Sequence, residues 1–188
     1  YVEAALGVYR ARPAVDFVAC HHVKVDAQGL GRANEMPDRE LGYSVLPALV
    51  LRGWVGAPTS CLSARRALLG RILPLPFDTE WRTRADDCLV FGSSIVGARK
   101  FFLGRPLVRY RIHGENRFHG RARNPHTDYQ RRLAVNRLIH HFVVQMGYGP
   151  GLDDHVHREF RTIERPTRRE FRDYREIAWL SRQPWHRR

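Results

Sequence analysis

Apolar and polar positions follow one another along the chain in patterns that predict helices and strands in turn. Residues 2–11 have helical spacing, and Pro13 ends that segment because proline cannot continue a helix. Residues 16–25 alternate in the way that is typical of a strand, and the turn-forming sequence DAQGLG follows them. A second helix is predicted over 40–51, and it stops at Gly53.

The middle of the chain repeats this succession. Residues 58–63 form a short buried segment, and a helical turn over 65–72 follows, which two prolines close. A further helix is predicted over 86–95. Residues 98–112 have an extended pattern, in which a glycine and a proline mark a break between two short strands or a strand edge.

The remaining part of the chain is predicted to be helical. Between residues 128 and 146 successive apolar residues are alternately three positions and one position apart. This spacing places them on one face of a helix and indicates one amphipathic helix. From Leu152 onward the chain is charged and helical in pattern, an appendage more than a second globular domain. The order of elements predicts an α/β fold, with too few strands for a complete doubly wound sheet.

The charge balance adds a strong positive field to this picture. Lysine and arginine number 32 against 19 acidic residues, a formal net charge of +13. Such a field attracts phosphates, nucleic acid or anionic lipid. Aromatic residues among the C-terminal arginines could stack bases, but Phe171, Tyr174 and Ala178 are spaced as one packed helix face. Nucleic acid is therefore the weaker partner, and an anionic membrane surface stays open.

Cysteine usage and hydropathy bear on the compartment. The three cysteines are odd in number and far apart, so neither a disulfide framework nor a structural zinc site is indicated. We expect a reducing, cytoplasmic environment, with peripheral membrane association as an option. No apolar run is long enough to span a membrane, and the first residues lack the order of a secretory signal. The chain begins without Met, in the middle of a helical pattern, which suggests a larger architecture.

Two adjacent carboxylates stand at a predicted helix start, in the sequence ADDCL. One interpretation is an ordinary helix N-terminus, where the helix dipole favours Asp86 and Asp87. The other is a general base, because a carboxylate that faces a cleft at this position can take a proton from a hydroxyl group. The spacing alone leaves both interpretations open.

The stretch LVRYRIHGENR carries a predicted strand into His113, Glu115 and Asn116. Strand ends in open α/β sheets face the ligand crevice, and a neutral imidazole there is a common metal ligand. The alternative is a histidine that is hydrogen-bonded within an ordinary loop.

Hydroxyl groups offer a third candidate site, in the sequence APTSCLS. Thr59 and Ser60 are interpreted either as acceptor or sugar contacts or as satisfied hydroxyls of a buried strand. A serine nucleophile is unsupported because no base lies near them in the sequence. Phosphate-binding glycine loops of the GxGxxG or P-loop kind are absent from the sequence.

A resemblance emerges from the joint order of PTS, SARR, LPLP, a tryptophan, ADDCL and PLVRYRIHGEN. This order resembles the C-terminal half of family 2 glycosyltransferases, the inverting nucleotide-sugar enzymes with the GT-A fold, which is Rossmann-like. The likeness covers residues 1–120, as an incomplete acceptor-side half, and residues 121–188 are then a basic helical extension.

The resemblance implies a set of site residues. In that family a carboxylate on a later helix is the base, in a Glu-Asp motif that a Leu-like position follows. Ala85, Asp86 and Leu89 fit that frame with Ala85 in place of the usual Glu, so Asp86 is the expected base. His113 then approaches a divalent cation, Mn or Mg, as its ligand near the diphosphate. The expected substrate-binding residues are Thr59, Ser60, Asp87 (also the reserve base), Arg111, which with Arg117 could neutralise phosphate, and Asn116.

The sequence also departs from the family. No Asp-x-Asp motif occurs in the 188 residues, and the nucleotide-binding half is missing. We therefore expect the acceptor-side part of a hexosyltransferase-like enzyme that transfers a sugar from a nucleotide-sugar donor to an acceptor hydroxyl. Alone, as a fragment or a degenerate enzyme, it is expected to be inactive. The alternative is a non-enzymatic basic module that binds nucleic acid or an anionic membrane surface.

Overall fold

A computed structural model describes residues 1–113 and 124–181, and it has a mixed α/β fold, which confirms the predicted α/β class. The elements, in chain order, are α1 (Val2–Ala11), β1 (Phe17–Val25), β2 (Arg39–Gly42), α2 (Val45–Leu51), β3 (Leu62–Ala64), α3 (Arg66–Ile72), α4 (Ala85–Ile95), β4 (Lys100–Arg111), α5 (Pro125–Met146), α6 (Val156–Phe160) and α7 (Arg168–Ser181). Short 3₁₀ turns cover Thr59–Cys61, Asp78–Trp81 and Leu152–His155.

The four strands form one sheet in the order β2-β4-β1-β3. The two central strands, β1 and β4, run parallel, and each outer strand is antiparallel to its neighbour. Because β1 and β4 are parallel, their carboxyl ends lie at the same edge of the sheet. In open α/β sheets this is the edge where ligands bind.

Strand β4 is one continuous strand. The break expected within residues 98–112 is therefore a shift in the pairing register with β1 and not the end of a strand. Cys20 of β1 is opposite Leu103, whereas the next residue, His21, is opposite Pro106. Gly104 is required here because a Cβ at this position would collide with the carbonyl group of Met36. The glycine and the proline therefore lie where the regular ladder is interrupted, which is where a sheet tolerates them.

The helix predicted over 40–51 is wrong in its first part. Residues Arg39–Gly42 form β2, which pairs with β4, and only α2 is helical. Glu40 forms an ion pair with Arg99 beside the start of β4. Gly42 then turns the chain with a positive φ of 63°. Pairing with a distant strand thus overrides the local helical pattern.

The core lies between the sheet and helices α4 and α5. It contains the buried start of β1 (Phe17 to Cys20), Val90 and Ile95 of α4, and Leu138 and Phe142 of α5. The amphipathic helix predicted between 128 and 146 therefore packs directly against the core, and it begins at Pro125. The domain boundary predicted after residue 120 falls outside the described residues.

The last described helices pack back onto α2. Tyr174 and Ile177 of α7 are buried, and the Tyr174 hydroxyl donates to Glu159 at 2.8 Å. Glu159 also accepts from the backbone N–H of Leu46 in α2 at 3.1 Å. Thr167 and Glu170 exchange hydrogen bonds as a capping box at the start of α7. In residues 1–113 and 124–181, no helix combines the length and apolarity that a membrane crossing requires.

Candidate functional site

A cavity of about 640 Å³ opens at the edge of the sheet where β1 and β4 end. Its walls combine acids, cations, hydroxyl groups and aromatic rings, a mixture that suits a polar ligand with apolar faces. The lining residues are His22 and Lys24 of β1, Trp54, Pro58, Thr59 and Ser60 of the segment before β3, Arg84, Asp86 and Asp87 at the start of α4, Tyr110 of β4 and Arg131 of α5.

Asp86 lies in the first turn of α4 and is partly buried at the cavity. Burial raises the pKa of this carboxyl group, and the negative charge of Asp87 raises it further. The backbone N–H of Asp87 donates to Oδ1 of Asp86 at 3.1 Å, while the helix N-cap itself is Arg84. Asp86 therefore does not form a side-chain N-cap. A carboxyl group with a raised pKa beside a cavity has the chemistry of a general base.

Asp87 differs sharply from its neighbour because its side chain is only 2% exposed. Arg131 donates from Nε to Oδ2 and from Nη2 to Oδ1, both at 3.1 Å. Arg84 adds a third cationic contact, with Nη1 at 3.7 Å from Oδ2. Both carboxylate oxygens are thus occupied, and Asp87 holds two arginines at the cavity wall. Its predicted role in substrate binding stays a prediction.

The backbone at Arg84 has an uncommon conformation, with a φ of 68°. A non-glycine residue in the left-handed region carries strain, which often accumulates at functional sites. Here the conformation immediately precedes α4, and the residue that adopts it lines the cavity.

Thr59 and Ser60 lie in a 3₁₀ turn and are both exposed at the cavity. They do not belong to a buried strand, because β3 begins only at Leu62. The alternative in which they are satisfied hydroxyls of a buried strand is therefore wrong, while contact with an acceptor or a sugar stays a prediction.

The other predicted site residues lie at or beyond the end of β4. Arg111 is its last residue, and His113 follows two positions later. The described lining of the cavity includes Tyr110 but neither Arg111 nor His113. Glu115, Asn116 and Arg117 lie outside the described residues. The roles of Arg111, His113 and Asn116 therefore stay predictions.

Several cavity residues were not found by sequence reasoning. His22 and Lys24 are two positions apart on β1 and so point to the same side of the strand. Burial lowers the pKa of His22, and the charges of His21 and Lys24 lower it further. The His22 ring meets the ring of Tyr110 edge-on, with centroids 6.1 Å apart. The spacing of His22 and Lys24 by two residues was a signal that they share one face of β1. No local pattern indicated that this face lies beside the start of α4.

Trp54 and Arg131 also line the cavity, and contacts between distant parts of the chain bring them there. Arg131 is held by Asp87, as described above. The segment after Trp54 is fixed by the fully buried Lys100, whose Nζ donates to the carbonyl oxygen of Val55 at 2.9 Å. The same Nζ donates to the Val90 carbonyl at 3.0 Å, which ties that segment to α4. Burial holds the pKa of Lys100 well below its usual range.

A divalent cation places specific requirements on the side chains that line the cavity. Mn and Mg are held by several oxygen or nitrogen ligands, with carboxylates prominent among them. Across residues 1–113 and 124–181, no group of three or more His, Cys, Asp or Glu side chains could hold a metal ion. Asp87 is already occupied by arginines. The described residues alone therefore do not fit a divalent cation.

Comparison with known proteins gives one informative similarity. A protein of Nostoc sp. described as an uncharacterized glycosyltransferase is 31% identical over 134 residues. The matched stretch covers 69% of this chain and 40% of the relative, so this chain spans well under half of that protein's length. No family model matches the sequence. No solved structure matches it.

Proposed function

We propose that this chain is the acceptor-side part of an inverting glycosyltransferase of the GT-A type. The observation that carries the proposal is Asp86, a carboxyl group with a raised pKa in a cavity lined by arginines, hydroxyls and aromatic rings. The relative described as a glycosyltransferase supports the same class of reaction. The donor is a nucleotide sugar, and the acceptor presents a hydroxyl group.

In this mechanism Asp86 accepts the proton of the acceptor hydroxyl as the oxygen attacks the anomeric carbon. The bond from that carbon to the nucleoside diphosphate breaks, and the diphosphate leaves with the electron pair on the opposite face of the sugar. Asp86 acts as the base only when ionised. The rate is therefore expected to fall as the pH drops through its raised pKa.

The remaining cavity residues supply binding and charge. Arg84 and Arg131 are already held by Asp87, so they present positive charge without reorganisation when phosphate charge develops. Trp54 and Tyr110 offer apolar surfaces against which a sugar ring can pack. Thr59 and Ser60 offer hydroxyl groups to the polar edge of that ring.

The divalent cation remains part of the proposal only as an expectation from the resemblance. Within the described ranges His113 is its proposed ligand, and the other ligands have to come from elsewhere. No step above depends on the cation. The three cysteines are free and buried in the structure, which supports the proposed cytoplasmic location.

The test is an Asp86→Asn substitution in the longest gene product that contains this chain, assayed for transfer from nucleotide sugars. We expect a rate loss on the order of 10²-fold to 10⁴-fold, because the substitution removes the base and keeps the side-chain volume. Asp154→Asn, at an exposed acid after α5, is the matched control and should retain the wild-type rate. Wild-type turnover in Asp86→Asn contradicts the assignment of the base.

The competing function is a non-enzymatic basic binding module, which the net charge of +13 favours. Such a module would bind random nucleic acid with a steep salt dependence. It would also show no response to nucleotide sugars with Mn or Mg. That combination of results would replace the transferase proposal.

A further inference from the structure

Helix α7 presents a straight line of cations on the side that faces away from the protein. Ile177 is fully buried and marks the inward direction. At about 100° per residue, Arg168, Arg172, Arg175 and Trp179 each lie within about 40° of the point directly opposite Ile177. These four residues, called the arginine stripe below, follow one another along about 16 Å of the helix.

The arginine stripe is exposed and combines charge with large apolar side chains. The side chain of Arg172 is 75% exposed and that of Trp179 is 61% exposed. Phe171, which is 52% exposed, flanks the stripe and meets the ring of Phe160 edge-on. Clustered arginines are attracted to anionic lipid headgroups, and tryptophan is enriched at the depth of those headgroups.

The acidic residues of α7 do not cancel this stripe. Glu170 faces inward, where it pairs with Arg39 and completes the capping box. Asp173 and Glu176 lie roughly 70° or more around the helix from the centre of the stripe. Asp173 has contacts with Arg169 at 3.6 Å and with Arg172 at 4.0 Å. The outermost line of the helix is therefore cationic from Arg168 to Arg175, and Trp179 follows it.

We propose that the arginine stripe docks the protein onto an anionic membrane surface. The charge selects acidic headgroups, and Trp179 enters the interfacial layer, where its ring is both partly apolar and able to donate a hydrogen bond. A membrane fits better than nucleic acid because the stripe combines its arginines with Trp179, whose exposed ring suits a lipid headgroup layer and has no counterpart in a phosphate backbone. Single strands are bound by grooves with aromatic platforms, and that geometry differs from one exposed helix face. This proposal is independent of the glycosyltransferase proposal.

The test uses the full chain and vesicles of phosphatidylcholine, with or without phosphatidylserine. We expect binding only to the anionic vesicles, weakening as salt is added. The triple substitution Arg168→Gln, Arg172→Gln and Arg175→Gln should lower the partition coefficient on the order of 100-fold, about fivefold for each arginine. Glutamine has a helix propensity close to that of arginine, so α7 should remain folded, which circular dichroism checks.

The matched control removes three exposed arginines elsewhere, in Arg10→Gln, Arg66→Gln and Arg132→Gln, and has the same net charge. It should bind anionic vesicles within about threefold of wild type, because distant charges are screened. Trp179→Ala should weaken binding roughly tenfold. Equal losses in the two triple variants overturn the proposal. Stripe-dependent binding to random nucleic acid, without binding to vesicles, also overturns it.

Discussion

Arginine and aspartate meet in two regions of this molecule, the cavity and helix α7, in opposite ways. At the cavity Arg131 is held through two hydrogen bonds by Asp87, which is only 2% exposed. On α7 Arg169 and Arg172 share Asp173 through longer contacts and are themselves 78% and 75% exposed. The first arrangement fixes a charge before a ligand arrives, which reduces the ordering cost of binding. The arrangement on α7 leaves the arginine side chains solvated and free to adjust, which suits contact with a membrane surface whose lipids are themselves mobile.

The largest expected effect compares the two aspartates in stability. Asp87→Asn should lower the free energy of unfolding by about 2 kcal/mol, because it weakens charge-assisted hydrogen bonds at a buried position. Asp173→Asn breaks exposed ion pairs and should change stability by less than about 0.5 kcal/mol. Urea unfolding of both variants measures the difference. Equal losses would show that the cavity pair is as weakly coupled as the surface pair.

A smaller effect distinguishes Asp86 from Asp87 and depends on pH. Because the pKa of Asp86 is raised by folding, the folded protein holds this proton more tightly than the unfolded chain does. Ionised Asp86 therefore costs stability, and the cost develops as the pH rises from the unfolded pKa through the folded one. Asp86→Asn should therefore stabilise the protein at neutral pH, by an amount that solvent screening keeps small because the side chain is only partly buried. Thermal unfolding should show no such gain near pH ~3.

The effect of Asp86→Asn on stability is expected to be opposite to its effect on the reaction rate. The substitution that removes the proposed base is expected to stabilise the protein, as is common where a site keeps a strained or desolvated charge. A loss of stability in Asp86→Asn at neutral pH would contradict the raised pKa.

The smallest expected effect concerns the backbone before α4. Arg84→Gly and Arg84→Ala remove the same side-chain contacts, so their difference isolates the positive φ of 68°. The glycine variant should be more stable than the alanine variant by about 0.5–1 kcal/mol, because glycine adopts this conformation without strain. On α7 the same pair of substitutions at Arg172 should have the opposite order, since alanine is favoured within a helix. Chemical unfolding curves of the four variants provide the test.

Much of the fold could be predicted because its signals are local. The apolar alternation of β1 and the spacing of α5 each indicate one element and one buried face, and both elements are found close to their predicted bounds. Strand β2 was missed because Arg39–Gly42 becomes a strand only through pairing with β4, a contact that no local pattern encodes. The continuity of β4 likewise depends on Met36 and Asp38, which meet Gly104 from a distant segment.

The candidate site could likewise be predicted only where its residues carry local sequence signals. The helix start at Asp86 and the hydroxyls of Thr59 and Ser60 carried local signals, and all three residues line one cavity. Trp54 and Arg131 carried none, because a tryptophan and an arginine have many ordinary roles. Their participation follows from the burial of Asp87 and Lys100, which fix α5 and the segment after Trp54. Such buried polar anchors cannot be recognised without the tertiary structure.

The interruption in β4 has a consequence for how the cavity can change over evolutionary time. Strand β4 has 12 residues against 9 in β1, a surplus of three, and the additional residues lie between the buried first half and the end that carries Tyr110. A one-residue deletion there would leave Phe101 and Leu103 in the core while turning Tyr110 toward the opposite side of the sheet. Length changes in this segment at positions other than Gly104 would therefore alter the rim of the cavity while the buried first half of β4 keeps its register with β1.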